Sequence, residues 1–270
     1  MTTAAAGLLD ALALEQTAAD AFLAISVPGP RDRVFGGQVA AQSLAAAGRT
    51  VSPGRRPHSL HTHFLRPGDP RTPIRYDVER VRDGGSFSTR GVVASQRDRQ
   101  ICQVTVSFHV SEDGVEHQAR MPEVPAPYGL AARPVPFPQP FDIRDVPGRR
   151  DTPANSVWMR HTDPVPDDEL LQACLFTYAS DLSLFEPVLR AHGVRWTDPT
   201  LQSATLDHVV WFHRPFRVDE WFLYDHDSPN AAAGRALAIG RVFRRDGLLV
   251  ASVAQEGLIR VRREDPRGGR

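Results

Sequence analysis

The chain has no lysine, no net charge, only two cysteines and no long apolar run. All 32 of its basic residues are arginine, which excludes Schiff-base chemistry and a lysine nucleophile. The 32 acidic residues balance the arginines, so no overall charge favours nucleic acid as a partner. No stretch approaches the roughly 20 consecutive apolar residues that a membrane-spanning helix requires.

The two cysteines, Cys102 and Cys174, lie in the apolar segments ICQVTV and LQACLF. This context is typical of small buried side chains rather than of a disulfide or a metal site. The sequence His61-Thr62-His63 alone is not a convincing zinc-ligand cluster. Because no basic segment leads into an apolar run at the N-terminus, we expect a cytoplasmic protein. We expect it to use neither a metal nor another cofactor.

The first half of the chain has the pattern of a helix followed by antiparallel strands. Residues 36–48, GGQVAAQSLAAAG, predict a helix that begins at a glycine pair. Four extended segments follow it, and the last has a clear alternation of apolar and polar residues. These segments are residues 57–67, 73–84, 86–98 and 101–110. The order is that of an α+β fold.

Prolines cluster between residues 121 and 166, where no clear periodicity is present. Loops longer than about 15 residues are uncommon within a compact domain. We therefore predict a proline-rich linker over 121–166, held to the surface by Trp158, between one unit at 1–120 and another at 167–270.

The second half repeats the order of the first. It predicts a helix over 167–191, interrupted at Pro187, and then strands at 203–214, 219–226, 234–245 and 248–260. HFLRP at 63–67 aligns with WFHRP at 211–215, and residues 96–98 align with 244–246. Both matches have an offset of 148 residues (64 to 212 and 98 to 246), which indicates a duplicated unit.

Three polar residues of the second half lie within apolar segments: Asp181, Thr205 and Gln255. A buried polar group without a partner is costly, so their coincidence suggests a site. Helical periodicity turns Asp181 toward the sheet, and strand alternation gives Thr205 a face shared with Asp207. The offset of 148 makes Ser107 the residue of the first unit that is equivalent to Gln255. A purely structural role remains open for each residue.

The segments RVFGGQV, HFLRPGD, RDGGSFSTR, YASDL, LDHVVWFHRPF, DEWFLY and VASVAQEG resemble, in that order, the acyl-CoA thioesterase II family. The resemblance implies a tandem (double) hotdog, in which two long helices are each wrapped by an antiparallel β-sheet. It implies hydrolysis of fatty acyl-CoA to free acid and CoA by a water molecule that Asp181, Thr205 and Gln255 hold. It also implies a homodimer or a dimer of dimers.

Several residues are candidates for binding the substrate. Gly36 and Gly37 allow close approach at a helix N-terminus, where a backbone N–H could contact the developing oxyanion. Arg66, with Arg31 and Arg33, could bind the phosphates of CoA. Gln38 and His61 complete the candidate set.

Two other functions compete with hydrolysis. An enoyl-CoA hydratase or dehydratase of the same fold would carry an Asp and a His close together, whereas Asp181 is followed by LSLFEP, with no histidine before His192. A non-catalytic acyl-CoA-binding protein would not need all three polar residues. A serine-histidine-aspartate triad has little support, because the chain has no G-x-S-x-G motif.

Overall fold

The structure is a computed structural model of the 270-residue chain. It describes residues 3–27, 29, 32–134, 137–148 and 153–262, without the side chains of residues 3–6.

The first unit extends from α1 to β6. Its elements are α1 Thr3–Leu12, β1 Glu15–Ala18, β2 Ala21–Ala24, α2 Gly36–Gly48, β3 Arg55–Phe64, β4 Ile74–Asp83, β5 Phe87–Gln96 and β6 Arg99–Val110. The predicted helix and the four predicted strands of this half are all present. In β6, Cys102, Val104, Val106 and Phe108 are buried on one face, as the alternation predicts.

The second unit extends from β7 to β13. Its elements are β7 Phe141–Asp145, β8 Ala154–His161, α3 Glu169–Ser180, α4 Glu186–Ala191, β9 Leu201–Thr205, β10 Asp207–Phe212, β11 Phe222–Ala232, β12 Arg235–Arg244 and β13 Leu249–Val261. Among the helices described, none has the length and apolarity needed to span a bilayer.

All the strands belong to one antiparallel sheet. Its order is β1-β2-β4-β5-β6-β3-β10-β13-β12-β11-β8-β7, with β9 beside β13. The two units meet where β3 pairs with β10, and there His61 lies opposite Val209. These two residues are equivalent in the repeat, since they are 148 positions apart. The units are therefore related by an approximate twofold axis through this pair.

The two long helices, α2 and α3, pack side by side in opposite directions. Gly48 at the end of α2 lies against Leu170 at the start of α3, and Gly37 at the start of α2 lies against Tyr178 near the end of α3. Nearly every residue of α2 is buried, and its alanines and glycines allow the close approach. Two antiparallel helices on one long antiparallel sheet are the expected double hotdog.

The segment predicted as a linker, 121–166, contains two strands of the second unit. β8 pairs with β11, and Trp158 lies opposite Leu223 in that pairing. Because β8 is buried along nearly its whole length, it lacks the alternation that identifies a half-exposed strand. Trp158 does anchor the preceding proline-rich stretch, since its indole Nε1 donates to the Pro125 carbonyl at 2.8 Å.

The helix predicted over 167–191 is interrupted earlier than expected. α3 ends at Ser180, and Asp181 is its C-cap residue, with φ −87° and ψ −6°. A turn then leads to α4, where Pro187 lies in the first turn. Proline is tolerated in a first turn because that N–H has no helical acceptor, so Pro187 does not break the helix. Asp181 therefore lies at a helix end rather than within a helix.

The strand predicted over 203–214 is divided by a bulge at Leu206. Pairing with β13 shifts from Thr205 opposite Gly257 to Val209 opposite Ala254, so four steps on one strand match three on the other. The extra residue reverses the side-chain alternation. The predicted face shared by Thr205 and Asp207 is therefore wrong, and Thr205 shares its face with buried residues of β10.

The offset of 148 residues does not extend to β13. Arg97 and Asp98, both with positive φ, form a two-residue turn between β5 and β6. The turn between β12 and β13 has three residues and ends in Gly247, at φ 88°. The added residue makes Val106, not Ser107, the equivalent of Gln255, and both Val106 and Gln255 are buried.

We expect Gly37→Ala to lower the melting temperature, because an added Cβ would stand 2.7 Å from the Tyr178 carbonyl oxygen. Such overpacking costs about 1–3 kcal/mol of unfolding free energy. Gly85→Ala is the matched control, since no atom lies within 4 Å of an added Cβ there. Equal melting curves for the two variants would contradict the close helix contact.

Candidate active site

Asp181 lies where the two units meet. Its Oδ2 accepts a hydrogen bond of 2.8 Å from the Gly37 N–H, in the first turn of α2. Its Oδ1 accepts one of 3.0 Å from Gln255 Nε2, on β13. The positive end of the α2 dipole favours a carboxylate at this position. The antiparallel packing of the helices thus brings an acid from the second unit to a helix N-terminus of the first.

Gln255 joins the three predicted residues. Its Nε2 donates to Thr205 Oγ1 at 3.1 Å as well as to Asp181. The bulge at Leu206 turns Thr205 toward this amide. Gln255 itself is only 1% exposed and lies behind the other two side chains. The structure therefore brings together Asp181, Thr205 and Gln255, the residues that the sequence analysis singled out.

A fourth residue, His208, completes the cluster and was not among the residues predicted from the sequence. Its Nδ1 lies 2.5 Å from Gln255 Oε1, and its Nε2 lies 2.8 Å from Ser180 Oγ. The candidates from the sequence included His61 but not His208. The signal available was that His208 replaces the buried Leu60 of the first unit, at the offset of 148.

Burial controls the protonation of the two titratable groups. It raises the pKa of Asp181 to about 6, although the hydrogen bonds from Gln255 and Gly37 and the charge of Arg33 act in the opposite direction. Burial lowers the pKa of His208 to about 4, partly offset by its hydrogen bond to Gln255. At neutral pH the carboxyl group is therefore ionised and the imidazole is neutral.

A cavity of about 850 Å³ opens beside these residues. Asp181, Thr205 and Gly36 form part of its wall. The rest is largely apolar and comes from both units: Val34, Phe35, Val39, Phe64, Ile101, Phe137, Ile143, Leu182 and Phe185. A cavity of this size and lining suits an apolar ligand that carries a few polar groups.

Two of the candidate substrate-binding residues lie away from the cavity. Gln38 is buried on another side of α2, where it accepts from the Val27 N–H at 3.0 Å and donates to Gln42. His61 is exposed on the outer face of β3, in edge-to-face contact with Trp211. The alternation of β3 accounts for this, because Leu60 and Thr62 are the inward neighbours.

The other candidates lie near the cavity. Gly36 and Arg66 line it, while the Gly37 N–H is already engaged by Asp181. Arg33 also lines the cavity and donates to the Ser203 carbonyl at 3.1 Å. Arg31 lies outside the described residues.

A partly buried carboxylate on the wall of an apolar cavity, with a threonine beside it and a glutamine behind the two, can activate water against an acyl group. Two family models match the chain: "Acyl-CoA thioesterase N-terminal domain" over residues 25–109 and "Acyl-CoA thioesterase" over residues 129–258. The acyl-CoA thioesterase 2 of Haemophilus influenzae is 39% identical over 251 residues, covering 84% of this chain and 88% of that protein.

Solved structures support the same family and fold. An acyl-CoA thioesterase II from Mycobacterium marinum is 42% identical, with a TM-score of 0.85, over 94% of this chain and 98% of that one. A protein of unknown function with a hot dog fold, from Alicyclobacillus acidocaldarius, has a TM-score of 0.82 over 95% and 98% of the two chains. At 22% identity it supports the fold alone. Fold and site thus define a hotdog thioester hydrolase.

The chain belongs to the acyl-CoA thioesterase II family.

We expect kcat/KM to fall as the pH drops through about 6, because protonated Asp181 cannot accept a proton from water. The Gln255 hydrogen bond lowers the pKa of Asp181, so Gln255→Ala should move this limb to higher pH as well as reduce kcat. Initial rates between pH 4.5 and 8.5, roughly the range that spans this group's titration, measure both effects. A limb unmoved in Gln255→Ala would show that another group titrates.

Proposed function

We propose that this protein hydrolyses fatty acyl-CoA to free acid and CoA by direct attack of a water molecule that Asp181 and Thr205 hold and that Gln255 helps to place by aligning these two side chains. The observation that carries the proposal is the double hydrogen bond of the Gln255 amide, which donates to both Asp181 and Thr205 beside the apolar cavity. The family membership supports the reaction class.

The ionised Asp181 accepts one proton of the water as the water oxygen attacks the thioester carbonyl carbon. Each oxygen of Asp181 has a second lone pair available, because among the described residues each accepts one hydrogen bond, from Gly37 or from Gln255. Thr205 accepts from Gln255, so its own hydroxyl proton is free to orient the water. The tetrahedral intermediate then expels the CoA thiolate, which leaves readily at a thiol pKa of about 8.5. Asp181 passes the proton that it took from water to this thiolate, and the free carboxylate is restored.

The developing oxyanion needs a donor that Asp181 has not already engaged. Gly37 donates to Asp181, whereas Gly36 precedes it at the N-terminus of α2 and lines the cavity. We therefore assign the oxyanion contact to the Gly36 N–H, where the helix dipole adds positive potential. An added Cβ on Gly36 would stand 3.0 Å from Asp181 Oδ2, so a side chain there would crowd the water position.

The cavity supports an acyl-CoA substrate. Its aromatic and aliphatic wall suits an acyl chain, and Arg33 and Arg66 at the same cavity suit the phosphates of CoA. The relatives quoted above are named acyl-CoA thioesterases, which agrees with this assignment.

The hydratase alternative loses support from the position of His208. Although it lies near Asp181, both of its ring nitrogens are hydrogen bonded and its side chain is fully buried. It therefore does not reach the cavity, where a hydratase would need its histidine.

We retain a homodimer or a dimer of dimers as the expected assembly, from the family resemblance. The β3–β10 pairing already joins two hotdog units within one chain. Size-exclusion chromatography with light scattering should give a mass of two or four chains, and a single-chain mass would contradict the expectation.

The decisive experiment follows thiol release from a panel of acyl-CoA chain lengths. Asp181→Asn should lower kcat by about 10²–10⁴-fold with an unchanged fold, because the water loses its proton acceptor. Thr205→Val should also lower kcat, whereas Thr105→Val, on the exposed face of β6, is its matched control.

His61→Ala should keep wild-type activity, since His61 lies on the outer face. Wild-type turnover in Asp181→Asn would contradict the mechanism. Release at the background rate by the wild-type protein, for every chain length, would favour the acyl-CoA-binding alternative.

A further inference from the structure

The Gln255 amide can donate to both Asp181 and Thr205 in only one of its two orientations. Its nitrogen must face Asp181 and Thr205, because the reversed amide would place its oxygen against the carboxylate. Both N–H groups are then engaged, so the orientation depends on what the amide oxygen meets. That oxygen meets His208 Nδ1 at 2.5 Å.

The tautomer of His208 follows from the same contacts. An amide oxygen only accepts, so Nδ1 must carry the proton, and the neutral ring then leaves Nε2 as an acceptor. Ser180 Oγ lies 2.8 Å from Nε2 and supplies the proton. The Thr177 carbonyl, 2.9 Å from the same hydroxyl, competes for that proton. The Ser180 hydroxyl donates to Nε2 of His208, because Nε2 would otherwise be a buried acceptor without a donor.

The hydrogen bonds form a closed circuit. Ser180 is the last residue of α3 and the neighbour of Asp181 along the chain. From Ser180 the bonds pass through His208 to Gln255 and from there to Asp181. The end of α3 thus supplies both the carboxylate of Asp181 and the Ser180 hydroxyl that fixes the tautomer of His208. The Tyr224 hydroxyl donates to the Ser180 carbonyl at 3.1 Å and helps to hold that helix end.

The fold itself does not require a histidine at this position. The equivalent residue of the first unit is Leu60, which is buried and lies at the same place in the sheet. His208 is also fully buried and does not line the cavity. It therefore acts through Gln255 and not on the substrate.

We propose that His208, held in one tautomer by Ser180, is a positioning residue that fixes the orientation of the Gln255 amide for thioester hydrolysis. This inference rests on the proposed function, since it matters only if Gln255 aligns Asp181 and Thr205.

Replacing His208 with residues that keep one or the other nitrogen tests the inference. The amide nitrogen of Asn takes the place of Nδ1, so His208→Asn should keep kcat within about threefold, a difference of well under 1.4 kcal/mol. The longer Gln places its nitrogen near Nε2, and Leu has no donor. His208→Gln and His208→Leu should therefore lower kcat by about 10–100-fold, while KM stays unchanged because the cavity is untouched.

A double-mutant cycle tests the role of Ser180. Ser180→Ala should lower kcat in the wild-type background and have no further effect in His208→Asn, because an amide has no tautomer to set. Equal losses in the two backgrounds would overturn the role of Ser180. Wild-type kcat in a folded His208→Leu, or a loss in His208→Asn as large as in His208→Leu, would overturn the role of His208.

Two further results keep the outcomes separate. The ring of His208 in the unaltered protein should give the ¹⁵N NMR pattern of an Nδ1–H tautomer at neutral pH, and an Nε2–H pattern would overturn the inference without any substitution. If Asp181→Asn keeps turnover, the proposed function fails. If Asp181→Asn is inactive while His208→Leu is fully active, only the positioning role fails.

Discussion

The hydrogen bond from the Gly37 N–H to Asp181 ties the chemistry of this protein to its architecture. It can form only because α2 and α3 run in opposite directions and approach closely enough for the end of one to meet the start of the other. Packing partly shields the carboxylate from water, which raises its pKa and makes it a stronger base, while the helix dipole and the Gln255 amide stabilise its ionised form. Gln255, Thr205 and His208 extend the hydrogen-bond network from this contact into the sheet.

The two units share a framework but not a site. The first unit has other residues at the positions of the site. Arg49, the C-cap residue of α2, stands at the position of Asp181, and Pro57 stands at that of Thr205. Leu60 and Val106 stand at the positions of His208 and Gln255. The bulge that turns Thr205 inward is present in both units, since the pairing of β3 also shifts between Pro57 and Ser59. The backbone geometry of the site therefore belongs to the fold, and the chemistry belongs to a few side chains of the second unit.

The sequence predicts much of this architecture because its signals are local. The alternation in β6, the glycine pair before α2 and the repeated motifs each depend on residues close together in the chain. Asp181, Thr205 and Gln255 were found because polar residues in apolar segments are conspicuous. Their convergence was implied by the family resemblance, and only the three-dimensional packing demonstrates it.

Other features had no local signal. β8 is buried along nearly its whole length and shows no alternation. The bulge at Leu206 and the additional residue before Gly247 each change a register by one position, which a constant offset cannot reveal. His208 resembles the other histidines of its motif until the bulge shows which of them point inward. His61, a candidate from the sequence, faces outward.

Joining the two units in one chain has a consequence for how such a protein can vary. In a symmetric pair of separate, identical chains, any residue at the end of the long helix is present at both helix ends. Here the two ends differ: one carries Asp181, and the other carries Arg49, which donates to the Leu14 carbonyl and lies over the ring of Phe22. Fusion thus allows two equivalent positions to carry different residues, and the position of Arg49 serves to fasten the end of α1 and the edge of the sheet.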